Sequence, residues 1–163
     1  MNEVEIRRAG RDDLESLIEV LVEVTAEDRY LSTELPLDRQ GRRAHWEAQL
    51  ADQDCAMFVA AVGGRAVGQI SVAQHPEYGT LLGMFLGAAY RGCGTGRRLL
   101  DAAIEWSQLR GFQSLSLLVF AHNDAAVNLY RRCGFEQVEY YANDVRRRNG
   151  DLWDTMLMTK RLR

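Results

Sequence analysis

The sequence is poor in the residues that staple a chain or break it into pieces. Only two of its 163 residues are proline, Pro36 and Pro76. No proline-, glycine- or serine-rich tract divides the chain, so a single domain over residues 1–163 is expected. The three cysteines, Cys55, Cys93 and Cys133, are an odd number with no C-x-x-C pair. That argues against a disulfide framework or a zinc site and for a reducing, cytoplasmic setting. No apolar run approaches the ~20 residues that a membrane helix needs. The opening residues M-N-E-V-E-I-R-R also lack a signal-peptide core, so no membrane partner is expected. Excess positive charge is missing too: 20 Lys and Arg against 23 Asp and Glu leave a net charge of −3. A bulk nucleic-acid binder would instead show a strongly basic domain.

What is present is ordinary globular material, 47% hydrophobic and 26% charged, and long enough to bury a core. Val4 and Ile6 alternate with charges in a strand over 4–8. Asp12 or Asp13 is placed to cap a helix whose stripe is Leu14, Leu17, Ile18, Leu21 and Val22. The pattern breaks over 27–39, and a second helix is read over 42–51. The runs C-A-M-F-V-A-A-V and R-A-V-G-Q-I-S-V-A flank Gly63-Gly64, which marks a hairpin because a type I′ turn needs positive φ at both central positions. His75–Tyr78 is a turn and Thr80–Leu86 a strand. After a glycine loop comes a helix bearing Leu99, Leu100, Ala103 and Ile104, ending near Gly111. A strand over 114–120, a short helix over 125–133 and strands over 136–142 and 152–162, joined by a polar loop at 143–150, close the chain. The order β-α-α-β-β-β-α-β-α-β-β predicts an α/β (α+β) fold with a mixed, mostly antiparallel sheet flanked by helices.

The chemistry centres on A-Y-R-G-C-G-T-G-R-R-L-L, residues 89–100. A strand, a glycine-rich turn and a helix start form an anion site, because the first helix amides lack internal partners and the helix dipole is positive there. The loop is not a Walker loop, since no Lys-Ser or Lys-Thr follows. It also fails the dinucleotide fingerprint, with Arg97 at the third glycine position and four strands ahead of it. Taken alone, the glycines also suit a tight turn with no ligand.

R91-G-C-G94-T-G96 fits the pattern [QR]-x-x-G-x-[GA], and N123-D-A-A-V-N-L-Y130-R-R-C-G134-F135 follows at the right spacing. Together with the tail R-N-G150-D-L-W-D154-T-M-L-M158, they make residues 80–162 resemble the GCN5-related N-acetyltransferases. The resemblance implies acetyl-CoA bound where two central strands splay apart. Backbone groups of Met84, Phe85 and Leu86 would pair with the pantetheine arm. Arg91, Gly92, Cys93, Gly94, Thr95 and Gly96 would wrap the diphosphate, with Arg97 adding charge. Asn123 would bond the pantetheine or order a water, and also suits a helix N-cap. Tyr130 would protonate the departing sulfur, since a phenol with a reference pKa near ~10 holds its proton at neutral pH; its plainer role is core packing. The Leu86 amide would face the carbonyl oxygen as it gains charge.

The strand T-L-L-G-M-F-L has no carboxylate where many such enzymes place a glutamate base. Glu77, His75, Asp144, Asp154 or a water chain remain as candidates. Glu27, Asp28 and Glu34 would hold an ammonium group over the acceptor site, while Arg29 and Arg39 would hold a carboxylate. Arg146-Arg147-Arg148 reads as a solvated loop, and Trp46, Trp106 and Trp153 as core or rim packing. The implied acceptor is a small primary amine such as an amino acid or polyamine. A protein N-terminus or lysine, or a silent acyl-CoA-binding module, is the alternative. The closing strands also leave room for a homodimer.

Overall fold

The computed structural model describes residues 3–163; Met1 and Asn2, the first two positions of the expected domain, lie outside the described residues. The chain runs β1 (Glu5–Arg8), α1 (Leu14–Ala26), α2 (Arg39–Ala51), β2 (Ala56–Val62), β3 (Arg65–His75) and β4 (Gly79–Leu86). It continues as α3 (Thr95–Leu109), β5 (Ser114–Phe120), α4 (Asp124–Arg132), β6 (Glu136–Arg146) and β7 (Leu152–Arg161). The strands form one sheet in the order β1-β2-β3-β4-β5-β7-β6. Every neighbouring pair is antiparallel except β4–β5, which is parallel. The expected mixed, mostly antiparallel sheet with flanking helices is therefore present. No helix among the described residues is long and apolar enough to cross a membrane.

Strand alternation sends side chains to two cores. Leu14, Leu17, Ile18, Leu21 and Val24 of α1 pack with Met57, Val59, Ala66 and Phe85 on one face, where Trp46 of α2 stacks on Phe85 at 6.1 Å. The other face joins Leu99, Leu100 and Ala103 of α3 to Ile70, Val72, Leu82, Leu117 and Met158. Each of these leucines contributes about 1.5–3 kcal/mol on burial. Gly63 and Gly64 both take positive φ, +57° and +82°, as the hairpin reading required.

Four local expectations need correction. The second helix begins at Arg39 rather than 42, because the Asp38 carboxylate accepts from the Gly41 amide at 3.0 Å and caps it there. The polar loop is shorter than 143–150, since β6 runs to Arg146, carried by irregular pairing beyond Tyr141. His75 ends β3 opposite Gly79, with its Nδ1 accepting from the Glu77 amide at 3.1 Å. Asp13 does not cap α1. Its carboxylate is held by both Nη atoms of Arg7, at 2.8 and 2.9 Å, and by the Gly10 amide at 2.8 Å.

That pairing tethers β1 to the start of α1. The hydrogen bond from Arg7, reinforced by the Gly10 amide, holds the Asp13 carboxyl below its ordinary range despite burial. A depressed carboxyl pKa stabilises the fold above the unfolded value and loses that contribution as pH falls through the folded one. Asp13→Asn is expected to lower unfolding free energy by about 1.5–3 kcal/mol at neutral pH. The gap to the unsubstituted protein should close as pH drops below about 4, followed by urea denaturation across pH.

Candidate active site

The site begins where a ladder stops. β4 and β5 pair only through Leu81 with Ser116 and Leu82 with Leu117. Beyond those pairs the two strands diverge toward their C-terminal ends, where the glycine loop and α4 begin. Which backbone groups this exposes follows from register. The Gly87 amide donates to the Val67 carbonyl at 2.9 Å, in line with a regular β3–β4 ladder pairing Gly68 with Leu86 and Gln69 with Phe85. Antiparallel pairs alternate between bonded and non-bonded. Phe85 is therefore turned toward β3, and Met84 presents both of its backbone polar groups, and Leu86 its amide, to the gap. Phe85 cannot offer backbone bonds to a pantetheine arm as the resemblance implied; its ring lies in the α1 core instead.

The glycine loop follows this edge. Gly92 and Gly94 have φ of +74° and +89°, and a Cβ at either would meet nothing within 4 Å. Conformation, with open space in front, is what demands glycine there. The first regular helix bond is from the Arg98 amide to the Gly94 carbonyl at 3.1 Å, so the amides of Thr95, Gly96 and Arg97 have no intrahelical acceptor four residues back. Thr95 is buried, with Cys93 Sγ 3.4 Å from its hydroxyl and 3.2 Å from the Tyr90 carbonyl. Arg97 pairs with Asp101 at 3.3 Å. An open, glycine-lined turn leading into free helix amides suits a diphosphate, and the free edge of Met84 and Leu86 suits an amide-bearing arm. The residues present therefore fit coenzyme A.

Arg91 is directed elsewhere. Its Nε donates to the Leu86 carbonyl at 2.9 Å, and its two Nη atoms donate to the Glu27 carboxylate at 3.0 and 2.7 Å. The guanidinium also lies 4.7 Å from the Tyr30 ring centroid. Only its backbone is left for the loop. Asn123 caps α4, its Oδ1 accepting from the Ala126 amide at 3.3 Å. Tyr130 is buried and meets Phe135 edge-on at 5.9 Å, and its hydroxyl bonds no described residue. Burial, and to a lesser extent Cys133, push its phenol well above the ordinary value.

Across the gap lies the 27–38 segment, held by an arginine that the sequence reading placed in solvent. Arg147 is 2% exposed. It donates to the carbonyls of Leu31 and Ser32 at 3.0 and 3.1 Å and to Asp28 at 2.6 Å, and lies 4.0 Å from the Trp153 ring centroid. Glu34 is 3.7 Å from its Nε. The partners lie more than a hundred residues away in sequence, so no local pattern could have signalled them. Trp153 in turn packs edge-on against Phe120 and His122 at 4.8 and 4.9 Å. His122, also missed, bonds the Arg29 carbonyl through Nε2 at 2.7 Å; its place beside Asn123 was the available signal. Among the base candidates, Asp154 is held below its ordinary range by the Asn143 amide and the Tyr140 hydroxyl, so it is a weak base. Glu77 stands in the β3–β4 turn and Asp144 on β6, both exposed.

A family described as "Acetyltransferase (GNAT) family" matches residues 18–135. Among curated proteins, an uncharacterized N-acetyltransferase of Methanocaldococcus jannaschii is 28% identical over 82% of this chain, which spans 61% of that protein's length. An L-methionine sulfoximine/L-methionine sulfone acetyltransferase of Pseudomonas aeruginosa is 28% identical over 80% of this chain and 79% of its own. An L-amino acid N-acetyltransferase of Escherichia coli is 26% identical over 98% and 99%. Among solved structures, a GNAT-family acetyltransferase of Streptococcus pneumoniae superposes with a TM-score of 0.86 at 26% identity, covering 98% of this chain and 99% of that one. A Salmonella typhimurium protein solved with its cofactor acetyl-CoA gives 0.89 at 20% identity, covering 99% and 95%, a likeness of fold.

Removing the Arg147 guanidinium should loosen the overhang. Arg147→Met keeps the apolar stem but leaves two carbonyls without their donor. The carboxylate of Asp28 stays half-solvated, so the full penalty of a buried unpaired charge does not apply. A loss of about 2–3 kcal/mol in urea unfolding is expected, together with faster proteolytic cutting within 27–38. Unchanged stability and cutting would contradict the strut.

Proposed function

This chain belongs to the acetyltransferase (GNAT) family, with acetyl-CoA as the acyl donor, and we propose that it transfers the acetyl group to the primary amine of a small α-amino acid. The observation that carries the choice of acceptor is the charge left over around the overhang. Glu27 is paired with Arg91, and Asp28 and Glu34 with Arg147. A polyamine would need spare carboxylates there. Arg29, by contrast, pairs with no carboxylate among the described residues, and its guanidinium lies 5.9 Å from the Tyr30 ring. It is available for the carboxylate of an amino acid. Phe120 and Trp153 flank the His122 ring that bonds the Arg29 carbonyl, and Leu118, on the same face of β5 as Phe120, is 39% exposed. The acceptors in the names of the Pseudomonas and Escherichia coli relatives are of this class.

When bound, acetyl-CoA supplies an electrophilic thioester carbonyl and a sulfur leaving group. Met84 would hold the arm with its backbone groups, and the Leu86 amide would donate to the carbonyl oxygen as charge builds on it. The amides of residues 92–97 would hold the diphosphate. Asn123 fixes the start of α4, which positions Tyr130 to protonate the sulfur. The free thiols of Cys55, Cys93 and Cys133 support a cytoplasmic setting. The exposure of β6 at the sheet edge supports a homodimer through the closing strands.

Tyr130→Phe preserves the packing and deletes the donor. Its kcat should fall at least ~100-fold while acetyl-CoA binding, followed by calorimetry, is retained. Because burial raises the phenol pKa, the protonated donor form persists to more alkaline pH. The wild-type rate should therefore show no decline up to about pH 9.5 from this group. Arg29→Gln should raise KM for an amino acid by about 10- to 100-fold. The decarboxylated amine of the same side chain should be unaffected. Equal effects on both acceptors would rule out a carboxylate contact, and turnover of peptide amines alone would shift the assignment to a protein acceptor.

A further inference from the structure

We propose that His122 is the base that takes the proton from the acceptor's ammonium group, an inference that rests on the amine-acetylating reading above. An amino acid reaches the enzyme mostly as its ammonium form at neutral pH, and that form has no lone pair for attack on the thioester. β4 carries no carboxylate. Of the overhang's acidic residues, Glu27, Asp28 and Glu34 are engaged with Arg91 and Arg147, and Asp38 caps α2. His122 lies directly beyond the C-terminal end of β5, under the overhang. Its ring is stacked on Phe120 at 5.6 Å and 6° and met edge-on by Trp153 at 4.9 Å, so its plane is fixed.

The hydrogen bond also fixes its protons. A carbonyl only accepts, so the 2.7 Å contact with the Arg29 oxygen requires Nε2 to donate. In the neutral ring Nδ1 then carries the lone pair, and it bonds no described residue. This is the tautomer a base needs, oriented by a backbone group in the way a carboxylate orients the histidine of a hydrolase triad. The charged groups on the elements packed around it are Asp28 and Arg29 on the overhang, Arg147 behind Trp153, Asp154 on β7 and Asp124 opening α4. Asp28 is neutralised by Arg147, and Asp154 accepts from the Asn143 amide and the Tyr140 hydroxyl. The ring is exposed enough to return its proton to water.

The proton count closes. Nδ1 takes one proton from the ammonium group and becomes imidazolium. The freed amine forms the C–N bond as the C–S bond breaks, and the sulfur takes the Tyr130 proton. The nitrogen's second proton reprotonates Tyr130, and the imidazolium gives its own to solvent.

His122→Gln keeps a side-chain N–H for the Arg29 carbonyl and removes the base. With a neutral amino acid as acceptor, kcat/KM at pH 7 should drop by about 100-fold. The acid limb of the wild-type pH–rate profile should vanish. The variant should regain rate as pH approaches the amine's own pKa, while melting temperature and acetyl-CoA binding stay unchanged. A merely structural role would depress the rate equally at all pH values, and that result, or an unaltered profile, would overturn the proposal. A second readout needs no substrate: in the full chain carrying 15N-histidine, His122 should show the Nε2–H tautomer at pH 8 with a free Nδ1. A protonated Nδ1 overturns it. A wild type inactive on every amine but showing the expected tautomer would place the fault in the functional reading and not in the geometry.

Discussion

Everything at the site depends on the early end of the β4–β5 ladder. Two parallel strands that stay paired present no free backbone. Here the pairing ends at Leu82, and the divergence leaves a short edge, the backbone groups of Met84 and the Leu86 amide, unspent inside an otherwise continuous sheet. An exposed edge is a liability elsewhere in a β-protein; between two central strands it offers backbone groups to a ligand that carries amides. The sheet tolerates the gap because β5 keeps its full antiparallel ladder with β7, and β4 keeps its own with β3.

Two arginines convert that gap into a bounded cleft. Arg91 joins the end of β4 and its loop to Glu27 at the end of α1, and Arg147 joins the β6–β7 hairpin to the backbone of the overhang. Both act as fixed forks, satisfying several oxygens at once in a rigid planar geometry that lysine lacks. Their second effect is on charge. By pairing with Glu27, Asp28 and Glu34 they leave Arg29 with no carboxylate partner among the described residues. On the proposed reading, the choice between a cationic and a zwitterionic acceptor is thus made by residues that need not touch it. Two surface cavities of about 300 and 670 Å³, along Arg8, Leu50 and Ala51, lie apart from this cleft.

Much of the fold was legible because its signals are local. Strand alternation, the Gly63-Gly64 turn and the α1 stripe each sit within a dozen residues, and the element order follows from them. The glycine loop and the Asn123–Phe135 segment were legible as motifs, since both need fixed spacings. Long-range electrostatics was not. A run of three arginines reads as solvated unless one knows that Arg147 meets the carbonyls of Leu31 and Ser32. Asp13 resembles a cap until Arg7 is seen to claim it. The orientation of Phe85 was hidden for another reason: alternation says that neighbouring residues face opposite ways, but only the bond from Gly87 to Val67 sets the phase. His122 was passed over because its meaning lies in the carbonyl it bonds, ninety-three residues earlier.

The most direct test of the account is residue-resolved amide hydrogen exchange of β4, with and without acetyl-CoA. The free protein should exchange the Met84 and Leu86 amides quickly and the Phe85 amide slowly. Saturating acetyl-CoA should protect Met84 and Leu86 and leave Phe85 as it was. Slow exchange at Met84 and Leu86 before acetyl-CoA is added, or protection that appears at Phe85 instead, would contradict the proposed donor site.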